Sequence, residues 1–168
     1  LIASVDIYED IFQNSISGDI SFADTNDVIG NARISGQEKL KLKLSTPNAD
    51  DTDDRNVVIN FTEQPLYIYK INSKVNVNDK TVAFSLSFTT AELVRNNNIR
   101  VVQSFSGEPS VDIIKKILRD DEMLNSKKEF YYEETSNKFK LIARNTRPFQ
   151  FINAIARRCT SKDYDYAP

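Results

Sequence analysis

Two extended runs, Leu66 to Val77 and Thr81 to Phe88, are separated only by Asn78-Asp79-Lys80. Alternating apolar residues on both sides of a short polar turn predict a long antiparallel hairpin. In the return strand, Val82, Phe84, Leu86 and Phe88 share one face, and Ala83, Ser85 and Ser87 share the other. The first face belongs in a core. The second is small and polar, a flat surface on which another element can lie. In the outgoing strand the apolar pattern changes face near Ile71 to Ser73, which predicts a bulge or strong coiling there. A short helix follows, with Thr90 as its cap, Ala91 to Arg95 as its body and Asn96-Asn97-Asn98 as its end.

The flanking segments extend this β-scaffold. Ile2 to Tyr8 reads as a first strand. From Phe12 to Phe22, Ile16, Gly18, Ile20 and Phe22 alternate with Ser15, Ser17, Asp19 and Ser21, the period of a half-buried strand. Between Glu38 and Leu44, three leucines (Leu40, Leu42, Leu44) alternate with three lysines (Lys39, Lys41, Lys43). A helix would scatter those lysines around its axis, so this is a strand. Arg55 to Phe61 returns as its partner, across the acidic loop Pro47 to Arg55. Pro65 marks a bend or an edge, and Arg100 to Phe105 is one more strand. The fold class expected is α+β and mainly antiparallel β, with a small barrel or sandwich over Leu1–Phe105.

Ser106–Pro168 reads as helix, hairpin, helix. Ser110 is expected to cap Val111 to Arg119, whose Val111, Ile114, Ile117 and Leu118 have helical spacing. Asp112 near its start and Lys115, Lys116 and Arg119 near its end suit the helix dipole. Phe130 to Glu134 and Lys138 to Ala143 are expected to pair around Ser136-Asn137. Thr146 is expected to cap a last helix with Pro148 in its first turn and Phe149, Ile152, Ala156 and Cys159 on one face.

The residue inventory argues against familiar catalytic chemistry. There is no histidine, so imidazole acid–base catalysis and Ser-His-Asp triads are excluded within the chain. The single cysteine, Cys159, excludes an intrachain disulfide and a Cys/His zinc site, and is compatible with a reducing compartment. Asp50, Asp51, Asp53 and Asp54 suggest calcium, but the positions where an EF-hand loop needs glycine and glutamate hold Arg55 and Phe61. Neighbours Glu133 and Glu134 on a strand would point to opposite faces and could not converge on one glycosidic bond. Asp120, Asp121 and Glu122 read as a solvated turn past a helix end. No catalytic residue, cofactor site or metal site is expected, and no apolar run is long enough for a membrane span.

Two clusters suggest contacts instead. Phe130, Tyr131 and Tyr132 with Lys127 and Lys128 could stack bases, but are read as a strand with one aromatic face in a core or subunit contact. Arg144, Arg147, Arg157 and Arg158 could hold nucleic acid or an acidic protein. Phe149 and Phe151 lie between Arg147 and Arg157, with Phe149 on the helix face expected in the core, and a protein interface is the favoured reading. Charge is also polarised along the chain. Between Leu1 and Asp54 the basic residues are only Arg33, Lys39, Lys41 and Lys43, whereas Lys138 to Lys162 contains no carboxylate. The net charge is only -2, so the asymmetry lies in the distribution; it reads first as an ordinary charged surface, and it also suits head-to-tail contacts between subunits.

Several of these segments together resemble one family. They are Ser4-Val5-Asp6-Ile7-Tyr8, Ser35 to Leu42 (SGQEKLKL), Thr81 to Phe88 with the helix at Ala91, Ser106-Gly107-Glu108-Pro109-Ser110 with Ile113-Ile114-Lys115, and the helix from Arg147 to Arg157 (RPFQFINAIAR). The chain resembles the central baseplate hub protein of contractile-tailed, T-even-like bacteriophages. The resemblance implies a tail-tube-like β-barrel domain over Leu1–Phe105. After it comes the incomplete beginning of an inserted α/β domain over Ser106–Pro168, in a natural protein longer than this chain. It further implies a virion protein, assembled in the host cytoplasm, that is not an enzyme. Its partners would be itself as a homotrimer, the tail tube protein, the central spike protein and other baseplate proteins. DNA would pass it during ejection without sequence-specific binding. The hub domain of a contractile secretion-system spike protein, and a carbohydrate-binding adhesin domain, remain alternatives.

Overall fold

The computed structural model describes residues 1–25, 38–46, 58–78 and 80–163. The chain divides into two compact units, Leu1–Ala91 and Glu92–Pro168. The fold is mainly antiparallel β with three helices among the described residues, and its largest sheet is curled into a half-barrel.

The first unit is built on β1 (Ile2–Tyr8), β2 (Ser17–Asp24), β3 (Lys39–Leu40), β6 (Leu66–Asn78) and β7 (Thr81–Thr89), in the sheet order β1-β2-β7-β6-β3. A separate pair joins β4 (Lys43–Ser45) to β5 (Val58–Asn60). The long hairpin is present as β6 and β7, and its register shifts at Ile68/Lys70, Ile71/Ser73 and Asn76/Asn78. The middle shift lies where the apolar pattern changes face. The leucine–lysine alternation also holds in burial, with Leu42 buried, Leu40 and Leu44 half-buried and all three lysines exposed. Its strand is nevertheless broken at Lys41-Leu42. Leu40 pairs with Leu66 on β6, and Leu44 pairs with Ile59 on β5. The acidic loop lies outside the described residues.

Ile20, Leu42, Leu66, Ile68, Leu86 and Phe88 form the core of this unit, with Val5, Ile7, Phe22, Leu40, Leu44 and Phe61 around it. Phe88 is fully buried and lies opposite Gly18 in the β2–β7 register. A Cβ at Gly18 would fall 2.5 Å from Phe88 Cζ and would also collide with the carbonyl oxygen of Asp6 on β1. Glycine therefore lets the ring pack directly on backbone. Ser87, on the outer face, is buried. The bulged β6 brings Asn72 over it: Asn72 Nδ2 donates to Ser87 Oγ (2.7 Å) and Asp19 Oδ1 (2.8 Å), and Ser87 Oγ donates to Asp19 Oδ1 (2.5 Å).

The second unit contains α1 (Ala91–Asn98, reaching back by one residue), β8 (Val101–Pro109), α2 (Ser110–Arg119), β9 (Lys138–Thr146) and α3 (Pro148–Ala156). The boundary expected after Phe105 differs from the one observed, because β8 pairs antiparallel with β9, from Val101↔Thr146 to Pro109↔Lys138, and so lies in the second unit. The hairpin expected between Phe130–Glu134 and Lys138–Ala143 is absent for the same reason. β9 takes its hydrogen bonds from β8, and Phe130 to Glu134 runs without strand pairing. Gly107, with φ 73°, sits at the Ser106/Glu108 register shift, and the strand runs on to Pro109, the N-cap residue of α2.

The core here holds Val101, Phe105, Ile113, Ile114, Ile117, Leu124, Ala143, Phe149, Phe151, Ile152, Ile155 and Cys159, and the Phe105 and Phe151 rings stack at 5.7 Å. In α3, Ile155 is buried where Ala156 was expected, and Ala156 is exposed. The helix caps also differ from expectation. Thr90 Oγ1 is buried with no hydrogen-bond partner among the described residues. Ser110 lies inside α2 and its Oγ donates to Asn137 Oδ1 at 3.0 Å, while Val111 N donates to Thr135 Oγ1 at 3.3 Å. Thr146 does not cap α3; Phe149 N instead donates to Asn96 Oδ1 of α1 at 2.8 Å, a buried bond. Distant side chains have replaced local ones.

Two outcomes follow for stability. Gly18→Ala should destabilise the chain by about 3 kcal/mol, the upper range of overpacking, read as a lower urea midpoint with unchanged slope. Asn96→Ala should cost about 1–3 kcal/mol in thermal denaturation because it strands the buried Phe149 amide, whereas Thr146→Ala should cost under about 0.5 kcal/mol.

Candidate interaction surfaces

Three surfaces emerge, one in the first unit and two in the second. In the first unit both edges of the half-barrel sheet are open among the described residues. β1 lies at one end of the strand order. β3 covers β6 only at Leu66 and Tyr67, with one further bond from Ile68 N to Glu38 O, so the rest of β6 is an edge. Tyr69 to Asn78 are all exposed, including Val75 (56%) and Val77 (61%), and β1 exposes Ile2 (62%) and Tyr8 (55%). Unpaired strand edges are templates for pairing with another strand. The two edges differ in charge. β6 carries Lys70 and Lys74 and no carboxylate, while β1 carries Asp6, followed by Glu9 and Asp10, with no basic residue nearby.

The second surface is an aromatic groove of about 340 Å³. Val111 and Ile114 of α2, the segment from Phe130 to Glu133, Thr135, Ala156 and Cys159 line it. Phe130 and Tyr132 stack at 5.4 Å, and Lys115 Nζ sits 3.4 Å over the Tyr132 ring. The cation is thus Lys115, which the pattern around Lys127 and Lys128 did not suggest. Lys128 instead pairs with Glu92 at 3.3 Å, and Glu92 also accepts from Ser126 Oγ at 2.8 Å. The expected aromatic strand is an irregular segment whose Phe130 packs on the core and whose Tyr131 stands exposed. Cys159 is buried, its thiol donating to Ile155 O at 3.3 Å.

The third surface is a groove of about 530 Å³ along the exposed stripe of α3, lined by Asn96, Arg147, Gln150, Asn153, Ala154 and Arg157. It gathers two of the four arginines singled out above. Arg144 on β9 and Arg158 beyond α3 are exposed and do not line it. The helical period explains the selection: positions 147, 150, 154 and 157 recur every three to four residues.

The acidic candidates stay apart. Glu133 faces the aromatic groove, whereas the Glu134 carbonyl accepts from Lys162 N. Asp120, Asp121 and Glu122 are exposed in a turn closed by Glu122 N donating to Asp120 Oδ1. Arg95 holds this turn through the carbonyls of Met123 and Asp121, and Arg119 holds the following Ser126 carbonyl. No group of three or more metal-ligating residues occurs among the described residues. No helix there is long and apolar enough to cross a membrane.

Comparison with protein-family models, curated proteins and solved structures finds no match. The physical surfaces therefore carry the functional argument.

Tyr131 offers a direct test of the aromatic segment. Its phenol donates to Glu129 Oε2 at 2.6 Å, and this bond to the neutral form pushes its ionisation above the ordinary tyrosine value. The bond's contribution to the folded state is therefore intact below that value and fades as pH rises through the folded one. An NMR titration should place Tyr131 above a solvated tyrosine, and Glu129→Gln should bring it down.

Proposed function

We propose that this chain is a structural subunit of a ring, the central baseplate hub of a contractile phage tail. It would join the hexameric tail tube to the trimeric spike and line part of the channel through which DNA is ejected. The observation that carries this reading is the pair of oppositely charged edges that the described residues of the half-barrel sheet leave open. A contact between the β1 edge of one copy and the β6 edge of the next uses two different patches. Repeated by rotation, such a head-to-tail contact closes a ring. Pairing would cover Val75, Val77, Ile2 and Tyr8 and satisfy backbone groups that otherwise face water. The resemblance to phage hub proteins supplies the identity of the ring, with a homotrimer and with tube, spike and other baseplate proteins as neighbours.

The first unit would be the tail-tube-like domain and the second the start of an inserted domain. Carboxylates outnumber basic residues in the first unit. A wall of that charge lets DNA slide past without gripping its phosphates. The role is mechanical and needs no catalytic group.

Sedimentation of the natural full-length protein, alone and with its spike, tests this reading. A trimer is expected at micromolar concentration. Val75→Lys with Val77→Lys should weaken assembly by at least about tenfold while leaving the circular dichroism spectrum unchanged. A clean monomer in the presence of spike overturns the proposal.

A further inference from the structure

The α3 groove carries charge that the described residues of the second unit leave unanswered. Three ion pairs occur among the described residues, Lys115–Asp112, Lys116–Glu108 and Lys128–Glu92, and none uses an arginine. Arg147 and Arg157 are exposed, and neither side chain makes a hydrogen bond or ion pair among the described residues. The sequence around them, Lys138 to Lys162, holds no carboxylate. Between the two guanidinium groups the groove presents the amides of Asn96 and Gln150 beside the small Ala154. Asn96 is buried and oriented, because its Oδ1 accepts from Phe149 N. That bond leaves Nδ2 as the atom available to donate into the groove. Two forked cations with amide donors between them form a receptor for a row of carboxylates.

The same chain contains such a row. Asp50, Asp51, Asp53 and Asp54 supply four carboxylates within five residues. Arg147 and Arg157 flank the nine residues of α3, ten residue steps apart and so about 15 Å at the helical rise. An extended segment of five residues spans up to about 17 Å, so one acidic run can reach both arginines.

We propose that the α3 groove binds the Asp50–Asp54 segment of a second copy of this chain. Arg147 and Arg157 would take carboxylates at its two ends, and the amides of Asn96 and Gln150 would hold its middle. This contact deepens the ring reading and rests on it for its biological setting: it would be a second head-to-tail contact, independent of the strand edges. Nucleic acid is the competing anion, but the groove lacks an aromatic side chain on which a base could stack.

The test titrates a fluorescent peptide of residues 47–56 into the full chain and follows its anisotropy. The control peptide carries Asp→Asn at positions 50, 51, 53 and 54. Saturable binding of the acidic peptide, weakened at least about tenfold by Arg147→Glu with Arg157→Glu and by added salt, supports the proposal. Equal binding of the control peptide, no binding, or no effect of the arginine reversals overturns it. So does a single-stranded oligonucleotide that displaces the peptide at lower concentration and loses its own binding in the same variant.

Sedimentation separates this contact from the ring itself. Reversing the arginines should weaken self-association. Adding Asp→Lys at positions 50, 51, 53 and 54 to the same chain should restore it. A wild-type assembly untouched by the arginine reversals refutes the groove contact and leaves the ring standing. A monomeric wild type refutes the ring, and the peptide titration then decides the groove alone.

Discussion

The first unit depends on the contact between the Phe88 ring and the backbone of β2 at Gly18. The ring is fully buried, and a single added carbon at Gly18 would strike both it and the neighbouring strand β1. The contact therefore ties three strands together at one point. It also fixes their register, since a slip of one residue would move every side chain of a strand to the opposite face. With Phe88 inward, Leu86 and Phe84 follow it, and Ile20 and Phe22 oppose them across the sheet. Asp19 and Ser87 must then face the other way, where Asn72 closes a polar cluster over them. The β1 and β6 edges are what the curled sheet leaves over.

The second unit is organised by polar side chains acting at a distance. Asn96 caps α3 from α1, and Thr135 serves the first turn of α2. Asn137 accepts from Ser110 at the start of α2 and donates to the Arg158 carbonyl after α3 (2.6 Å), so one side chain links both helices. Helices of eight to ten residues are marginal alone. Caps supplied from elsewhere make α3 conditional on the docking of α1, and α2 on the placement of Thr135 and Asn137. The exposed stripe of α3 is thereby held in a defined place, with Arg147 and Arg157 on one groove.

Much of the first unit was legible because its strands have one wet and one dry face. That two-residue period yields β1 from Ile2 to Tyr8, the β6–β7 hairpin, the bulge near Ile71 and the alternation from Lys39 to Leu44. The second unit was less legible. Local alternation pairs Lys138 to Ala143 with the nearest candidate, Phe130 to Glu134, and has no access to partners 29 to 40 residues upstream. The same limit hid the caps: Ser110 and Thr146 are good capping residues by type, but Asn137 and Asn96 offered geometry that composition cannot reveal. The interaction surfaces were half visible. The arginine cluster was apparent, but its division into groove-lining and outlying members follows from the helical turn and from Asn96. Lys115 over Tyr132 had no signal beyond a lysine on a helix.

By itself the sequence determined a mainly antiparallel scaffold, short helices and the absence of histidine-based chemistry, because alternation and residue inventory are local properties. It also determined the charge polarity that makes a head-to-tail contact possible. Only the tertiary structure decided which strand β9 pairs with, where the units divide, which edges stay open among the described residues and which arginines share a groove. Those outcomes depend on packing between residues far apart in the chain, where competing partners of similar local character are told apart by fit alone.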